Sequence, residues 1–151
     1  MRFHFLSIVT VLTTCAAQYD RDASRYHQGV YKRKRGELLG QLNSVLSPLF
    51  LGQLKNLHKE VLTTFRRELK DELRGEHYHF GEVVSRARER LEKRFRGGAE
   101  EARQVKDDDD DEWSWREEEE LLREEVAAVA TQMRADETKK MVNQIEVRDS
   151  I

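Results

Sequence analysis

With 151 residues the chain is the size of one ordinary domain, and its balance of 38% hydrophobic against 37% charged residues suits long helices with one narrow apolar stripe better than a globule buried on all sides. A net charge of -2 excludes a global attraction to nucleic acid or anionic membrane, although charge is segregated, with Lys32, Arg33, Lys34 and Arg35 early and Asp107 to Asp111 late. The single cysteine, Cys15, excludes an internal disulfide framework and a multi-cysteine metal site, and one proline leaves few interruptions to helix.

Residues 1–18 form an apolar, signal-like segment: Arg2, an apolar run from Phe3 to Leu12, then the small residues Cys15, Ala16 and Ala17. One reading is a secretory signal cleaved near Ala17; the other is an apolar leader that reflects only how the chain is delimited. The run is too short for a transmembrane helix, which takes roughly 20 apolar residues. No other stretch is apolar enough to cross a bilayer.

From Tyr19 to Leu46 the residues Tyr19, Tyr26, Val30, Leu38, Leu42 and Val45 recur at helical spacing and predict one helix. Ser47-Pro48 then predicts a fresh helix start, since serine accepts a hydrogen bond from a free amide and proline suits the first helical position. Phe50, Leu54, Leu57, Val61, Phe65, Leu69 and Leu73 follow in steps of three or four as one stripe, with Gly75 placed for a left-handed cap. Phe80, Val84, Ala87, Leu91 and Phe95 predict a third helix that Gly97-Gly98 stops. The short connection between the second and third helices requires them to lie antiparallel.

Residues 106–112 read as a solvated acidic loop, since Asp107 to Glu112 is a block of like charge with nothing to bury. Ser114 and Glu117 have the spacing of a capping box, and Trp115, Leu122, Val126, Val129, Met133, Met141 and Ile145 carry a last helix. The fold class is therefore all-α, an elongated antiparallel three- to four-helix bundle over 19–147, with 148–151 as a tail. Its packing seam sets Phe50, Leu54, Leu57, Val61 and Phe65 against Phe80, Val84 and Leu91 and against Trp115, Leu122 and Val126 of the last helix, with Trp113 at the rim.

Nothing in the chain carries catalysis: there is no glycine-rich phosphate loop and no Gly-x-Ser-x-Gly elbow. His77 and His79 lack matching ligands at metal-site spacing, and Asp107 to Asp111 lacks the spaced ligands and glycine turn of a calcium loop. His58 reads as a boundary residue with one ring nitrogen bonded to a neighbour. Neither cofactor nor metal nor small-molecule substrate is expected. Lys32, Arg33, Lys34 and Arg35 are the candidate anionic contact, yet four successive helical residues spread over all faces, which favours a solvated cluster.

The stretch RYHQGVYKRKRGELLGQLNSVLSPLFLGQLKNLHKEVLTTF, from Arg25 to Phe65, resembles the helical-bundle region of the atlastin-like dynamin-family GTPases that fuse endoplasmic reticulum tubules, the fungal Sey and plant root-hair-defective group. So do His77-Tyr78-His79-Phe80-Gly81-Glu82-Val83-Val84, Glu112-Trp113-Ser114-Trp115 and Asp136-Glu137-Thr138-Lys139-Lys140-Met141-Val142-Asn143. The resemblance runs from about Tyr19 to Glu146, with residues before Tyr19 outside it and Asp107 to Asp111 lengthening the step before the tryptophans. It implies a fragment or degenerate relative of the lever that links an upstream GTPase domain to a membrane hairpin. By the same resemblance the chain is not an enzyme, binds no guanine nucleotide, lies on the cytosolic face of the endoplasmic reticulum and partners other helical segments or itself. The alternative is a small secreted helical binding protein.

Overall fold

Long runs of good helix formers with few breakers set the architecture of the chain, whose computed structural model describes residues 8–23, 25–75, 79–103 and 114–149, with Ile8, Val9 and Asp149 described by backbone alone. Among the described residues there are four helices and no strand: α1, Ile8–Ala23; α2, Gln28–Glu72; α3, Phe80–Arg103; and α4, Arg116–Asp149. The all-α class expected from the sequence is the one observed. The described residues divide into two compact units, one within Met1–Leu57 and Arg96–Trp115, the other within His58–Phe95 and Arg116–Ile151. The acidic run 107–111, Trp113, His77 and Tyr78 lie outside the described residues.

In the first unit the expected helix from Tyr19 to Leu46 is two helices. The backbone turns after Ala23, where Tyr26 N–H donates to the Ala23 carbonyl at 3.0 Å, and α2 restarts at Gln28. His27 caps it: its carbonyl accepts Tyr31 N–H at 3.0 Å and its Nδ1 accepts Gly29 N–H at 3.3 Å. Histidine is outside the usual Ser, Thr, Asp and Asn cap set, so the sequence carried no ordinary start signal here. α1 begins at Ile8 and runs past residue 18, so the boundary expected there falls inside a helix.

The helix break expected at Ser47-Pro48 is absent, and Pro48 sits within α2. Proline in a helix interior costs roughly 3 kcal/mol. Leu46, Phe50 and Leu54 on either side are all buried, and each such burial contributes about 1.5–3 kcal/mol, so packing outweighs the local penalty.

Two glycine assignments also change. Gly75 does not take the left-handed conformation; α2 closes instead through Leu73 N–H to the Leu69 carbonyl, 3.0 Å, and Arg74 N–H to the Asp71 carbonyl, 3.3 Å. Gly97 and Gly98 do not stop α3, which continues to Arg103 with Ala99 and Ala102 buried. Gly98 has a packing reason, since a Cβ there would stand 2.8 Å from Leu57 Cδ2 and 2.9 Å from Cδ1, whereas one on Gly97 would meet nothing within 4 Å. Gly97→Ala is therefore expected to raise stability by about 0.5–1 kcal/mol through helix propensity. Gly98→Val should lower it by at least ~1 kcal/mol through the collision with Leu57. Urea unfolding of the two variants checks the pair, and equal shifts would show that α2 and α3 do not approach closely here.

The second unit is an up-down-up bundle. Arg90 pairs with Glu72 while Arg94 reaches back to Glu68 at 2.7 Å, which is antiparallel order for α2 and α3. His58 meets Glu118 near the start of α4, and Lys70 shares a groove with Met133 and Lys140 further along it, so α4 runs with α2. Its core draws on three helices: Leu62, Phe65 and Leu69 of α2, Val83, Ala87, Leu91 and Phe95 of α3, and Leu122 and Val126 of α4.

Of the expected seam, Phe50, Leu54, Val61, Phe65, Leu91, Leu122 and Val126 are buried, while Leu57, Phe80, Val84 and Trp115 are only half-buried. On α3 the buried valine is Val83, at 3% exposure, not Val84. Val83, Ala87, Leu91, Phe95 and Ala99 form one ridge at four-residue spacing, and with two adjacent valines periodicity alone cannot choose between them. Trp115 precedes α4 and lies with its ring 5.5 Å from the Arg103 guanidinium carbon, so it covers a cation at the edge of the first unit where a core residue was expected. Met141 and Ile145, the distal end of the expected α4 stripe, are exposed.

Candidate functional site

Three groups of polar side chains are built into the two units. In the first unit Tyr19 and Tyr31 stack with ring centroids 6.0 Å apart, Tyr31 donates its hydroxyl to Asp20 Oδ1, and Arg35 Nε donates to the same oxygen at 2.9 Å. The Tyr31 hydroxyl and then Arg35 hold the Asp20 carboxyl below its usual range, and Asp20 in turn raises Tyr31 and Arg35. This cluster fastens α1 to α2.

It also decides the fate of the basic cluster. Arg35 is taken by Asp20, Lys34 pairs with Glu37 at 2.9 Å, and Arg33 lies 4.0 Å from the same carboxylate. Lys34 first, and Arg33 more weakly, hold Glu37 below its ordinary value. Lys32 is exposed and makes no ion pair among the described residues, so three of the four cations proposed as an anionic contact already have carboxylate partners.

In the second unit His58 is buried at 6% exposure, deeper than the boundary position expected. Its Nδ1 bonds Glu118 Oε1 at 2.6 Å, and its Nε2 stands 3.5 Å from Glu125 Oε2 without making a hydrogen bond. Glu119, also buried, meets Arg123 at 3.4 Å, and Arg123 meets Glu92 of α3 at 3.4 Å. Where α2 faces α3, burial pushes Glu68 up, but Arg94 and then Arg90 outweigh it and hold the carboxyl below its usual value. No nucleophile accompanies these groups, and among the described residues no set of three or more His, Cys, Asp or Glu is placed to hold a metal ion. Cys15 is free and half-buried, and His79 is exposed, its carbonyl accepting the Glu82 and Val83 amides at 3.0 and 3.1 Å to start α3. The arrangement ties helices together.

The third group escaped the sequence reading. On the outer face of α2, Thr63, Arg66, Arg67, Lys70, Asp71 and Arg74 line a shallow depression. Arg74 lies 3.7 Å from Asp71, while Arg66, Arg67 and Lys70 make no ion pair among the described residues. Attention to the dense cluster at 32–35 hid this one, because its cations are spread in sequence and converge only at helical spacing. Among the described residues no helix is long and apolar enough to cross a membrane.

Comparison with known proteins places these helices. No solved structure matches the chain. It is 57% identical over 134 residues to Protein SEY1 of Laccaria bicolor, 46% over 135 to Protein SEY1 of Cryptococcus neoformans and 40% over 130 to Protein SEY1 of Malassezia globosa. These alignments cover 89%, 89% and 86% of this chain but 17%, 16% and 14% of the relatives, so the chain spans about one sixth of their length. The family model of the Sey1 three-helix bundle domain matches residues 6–149, which extends the likeness upstream of Tyr19, where the sequence reading had ended it. With that match across nearly the whole chain, and with bundled helices in the structure, the chain belongs to the Sey1 three-helix bundle domain family.

Proposed function

We propose that this chain is a segment of the helical lever of an endoplasmic-reticulum membrane-fusion GTPase, acting through association between helical segments on the cytosolic face, with no nucleotide hydrolysis of its own. The observation that carries the reading is α2: one helix through Pro48, supplying residues to both compact units together with α3. A helix held on both sides of a proline by buried Leu46, Phe50 and Leu54 resists bending at its weakest point, as a part that transmits motion requires. The pairs His58–Glu118, Arg94–Glu68 and Arg123–Glu92 join helix to helix, and the sequence contains no phosphate-binding loop. Residues 8–17 belong to the lever in this reading, supported by their place in α1 and by the family match from residue 6, whereas cleavage near Ala17 would cut α1 in two.

The test exchanges the matching segment of the Laccaria relative for residues 6–149 of this chain and, separately, for residues 18–149, in full-length protein reconstituted into liposomes. The first hybrid is expected to hydrolyse GTP and fuse liposomes, and the second to hydrolyse GTP with fusion reduced at least tenfold. Hydrolysis without fusion in the first hybrid would overturn the lever role. Equal fusion by both would remove residues 6–17 from it.

A further inference from the structure

We infer that the basic outer face of α2 in the second unit docks the acidic outer ridge of α4 from a second copy of this chain. The inference rests on the reading that the chain acts through association between helical segments, and names the surfaces of one such contact. It starts from a sorting of charge on α2. The glutamates that might neutralise this face, Glu68 and Glu72, are engaged by Arg90 and Arg94 of α3. What remains outward is Arg66, Arg67, Lys70 and Arg74 around one depression, with Asp71 beside them.

The first turns of α4 are sorted in the opposite sense. Glu118 and Glu119 are engaged by His58 and Arg123 and Glu125 stands 3.5 Å from His58 Nε2, while Glu117, Glu120 and Glu124 are exposed and make no ion pair among the described residues. The two ridges have the same spacing. Arg67, Lys70 and Arg74 step by three and then four residues, as do Glu117, Glu120 and Glu124, so each set covers about 10 Å of one helix face. Two helices laid side by side can pair all three positions at once.

Charge complementarity favours a second copy over a membrane plane. Every copy carries both ridges, whereas a plane of lipid phosphates would also face the acidic groups that border the basic one. Glu60 lies one residue from Lys59 on the exposed side of α2, Asp71 lies within the depression, and Asp136 and Glu137 share a groove with Lys70 and Arg74. A helix ridge threads between these groups. Exposed ion pairs are individually weak and screened over about 8–10 Å at ordinary salt, so the contact depends on several acting together and on ionic strength.

Sedimentation equilibrium on the full chain tests this, with circular dichroism as a check on folding. Wild type is expected to self-associate at low salt and to weaken at least tenfold at high salt. The variant Arg67→Glu, Lys70→Glu, Arg74→Glu should lose association, as should Glu117→Lys, Glu120→Lys, Glu124→Lys. Mixing the two should restore it, because each then offers the ridge the other needs; a variant that merely misfolded could not be rescued. A monomeric wild type at low salt, association unchanged in either variant, or failure of the mixture would overturn the inference. So would a wild type that stays monomeric yet binds phosphatidylserine vesicles in a ridge-dependent way, which would assign the face to membrane instead. Fusion by the hybrid relative is read separately, so either proposal can fail alone.

Discussion

Replacing Phe65 by alanine is expected to destabilise the chain by about 3–5 kcal/mol. Phe65 is 1% exposed and sits in the middle of the α2 stripe, with Val61 and Leu62 before it and Leu69 after it, all buried. Truncation removes an aromatic ring from between three helices, and the surrounding ridges cannot close the gap without shifting α3 or α4. The melting temperature should fall by roughly 10 °C or more for a chain of this size. Leu57→Ala is the control. Its side chain is half-buried beside Gly98 at the edge of the first unit, so the loss should stay below about 1.5 kcal/mol. Urea unfolding followed by circular dichroism measures both, and a Phe65 loss no larger than the Leu57 loss would mean that the core is not centred on α2.

The difference between those two leucine-stripe positions shows where sequence reading succeeds and where it stops. A stripe at three- and four-residue steps locates the buried face of a helix, and Phe50, Leu54, Val61, Phe65 and Leu69 follow it. Periodicity says nothing about how near a facing helix comes, and at Leu57 the facing residue is Gly98. Breaker residues misled for the same reason: Pro48, Gly97 and Gly98 carry local penalties, but burial of Leu46, Phe50, Ala99 and Ala102 around them decides the outcome. Conversely, the break at residues 25–27 has neither proline nor glycine within it, and a histidine caps the helix that follows. Long-range polar pairs were the least legible. Asp20 and Arg35 are fifteen residues apart and His58 and Glu118 sixty apart, and no spacing rule connects them before the helices are folded against each other.

Those polar pairs also explain how a chain with 37% charged residues specifies one packing. Apolar ridges on α2, α3 and α4 would tolerate sliding by one helical turn, because leucine, valine and alanine recur every four residues on each. Hydrogen-bonded ions do not tolerate it. Arg90 bridging Glu68 and Glu72, and Arg123 bridging Glu92 and Glu119, each lose a partner if one helix shifts by a turn, so they fix register where the apolar ridges alone leave it open.

The strictest of these registers is set at His58, and it yields the second large expected effect. His58→Ala should cost about 3 kcal/mol, because it leaves the Glu118 carboxylate at 14% exposure without the ring nitrogen that bonds it at 2.6 Å, in addition to opening a cavity in α2. Glu118→Gln keeps an oxygen that can accept from Nδ1–H and should cost under ~1.5 kcal/mol. The informative variant is the double one, His58→Leu with Glu118→Leu, which removes both polar partners together and fills the site with apolar volume. Replacing a buried pair in this way is commonly neutral or stabilising by about 1–4 kcal/mol, so the double variant should match or exceed wild type in urea. Its cost would appear elsewhere. If the pair sets the register of α4 against α2, the double variant should lose dispersion of its amide resonances while keeping its helix content and its urea midpoint. A double variant as destabilised as His58→Ala would show instead that the site depends on the shape of the imidazole, and a well-dispersed, fully stable one would show that the register of α4 is set without the pair, through the bridge from Arg123 to Glu92 of α3.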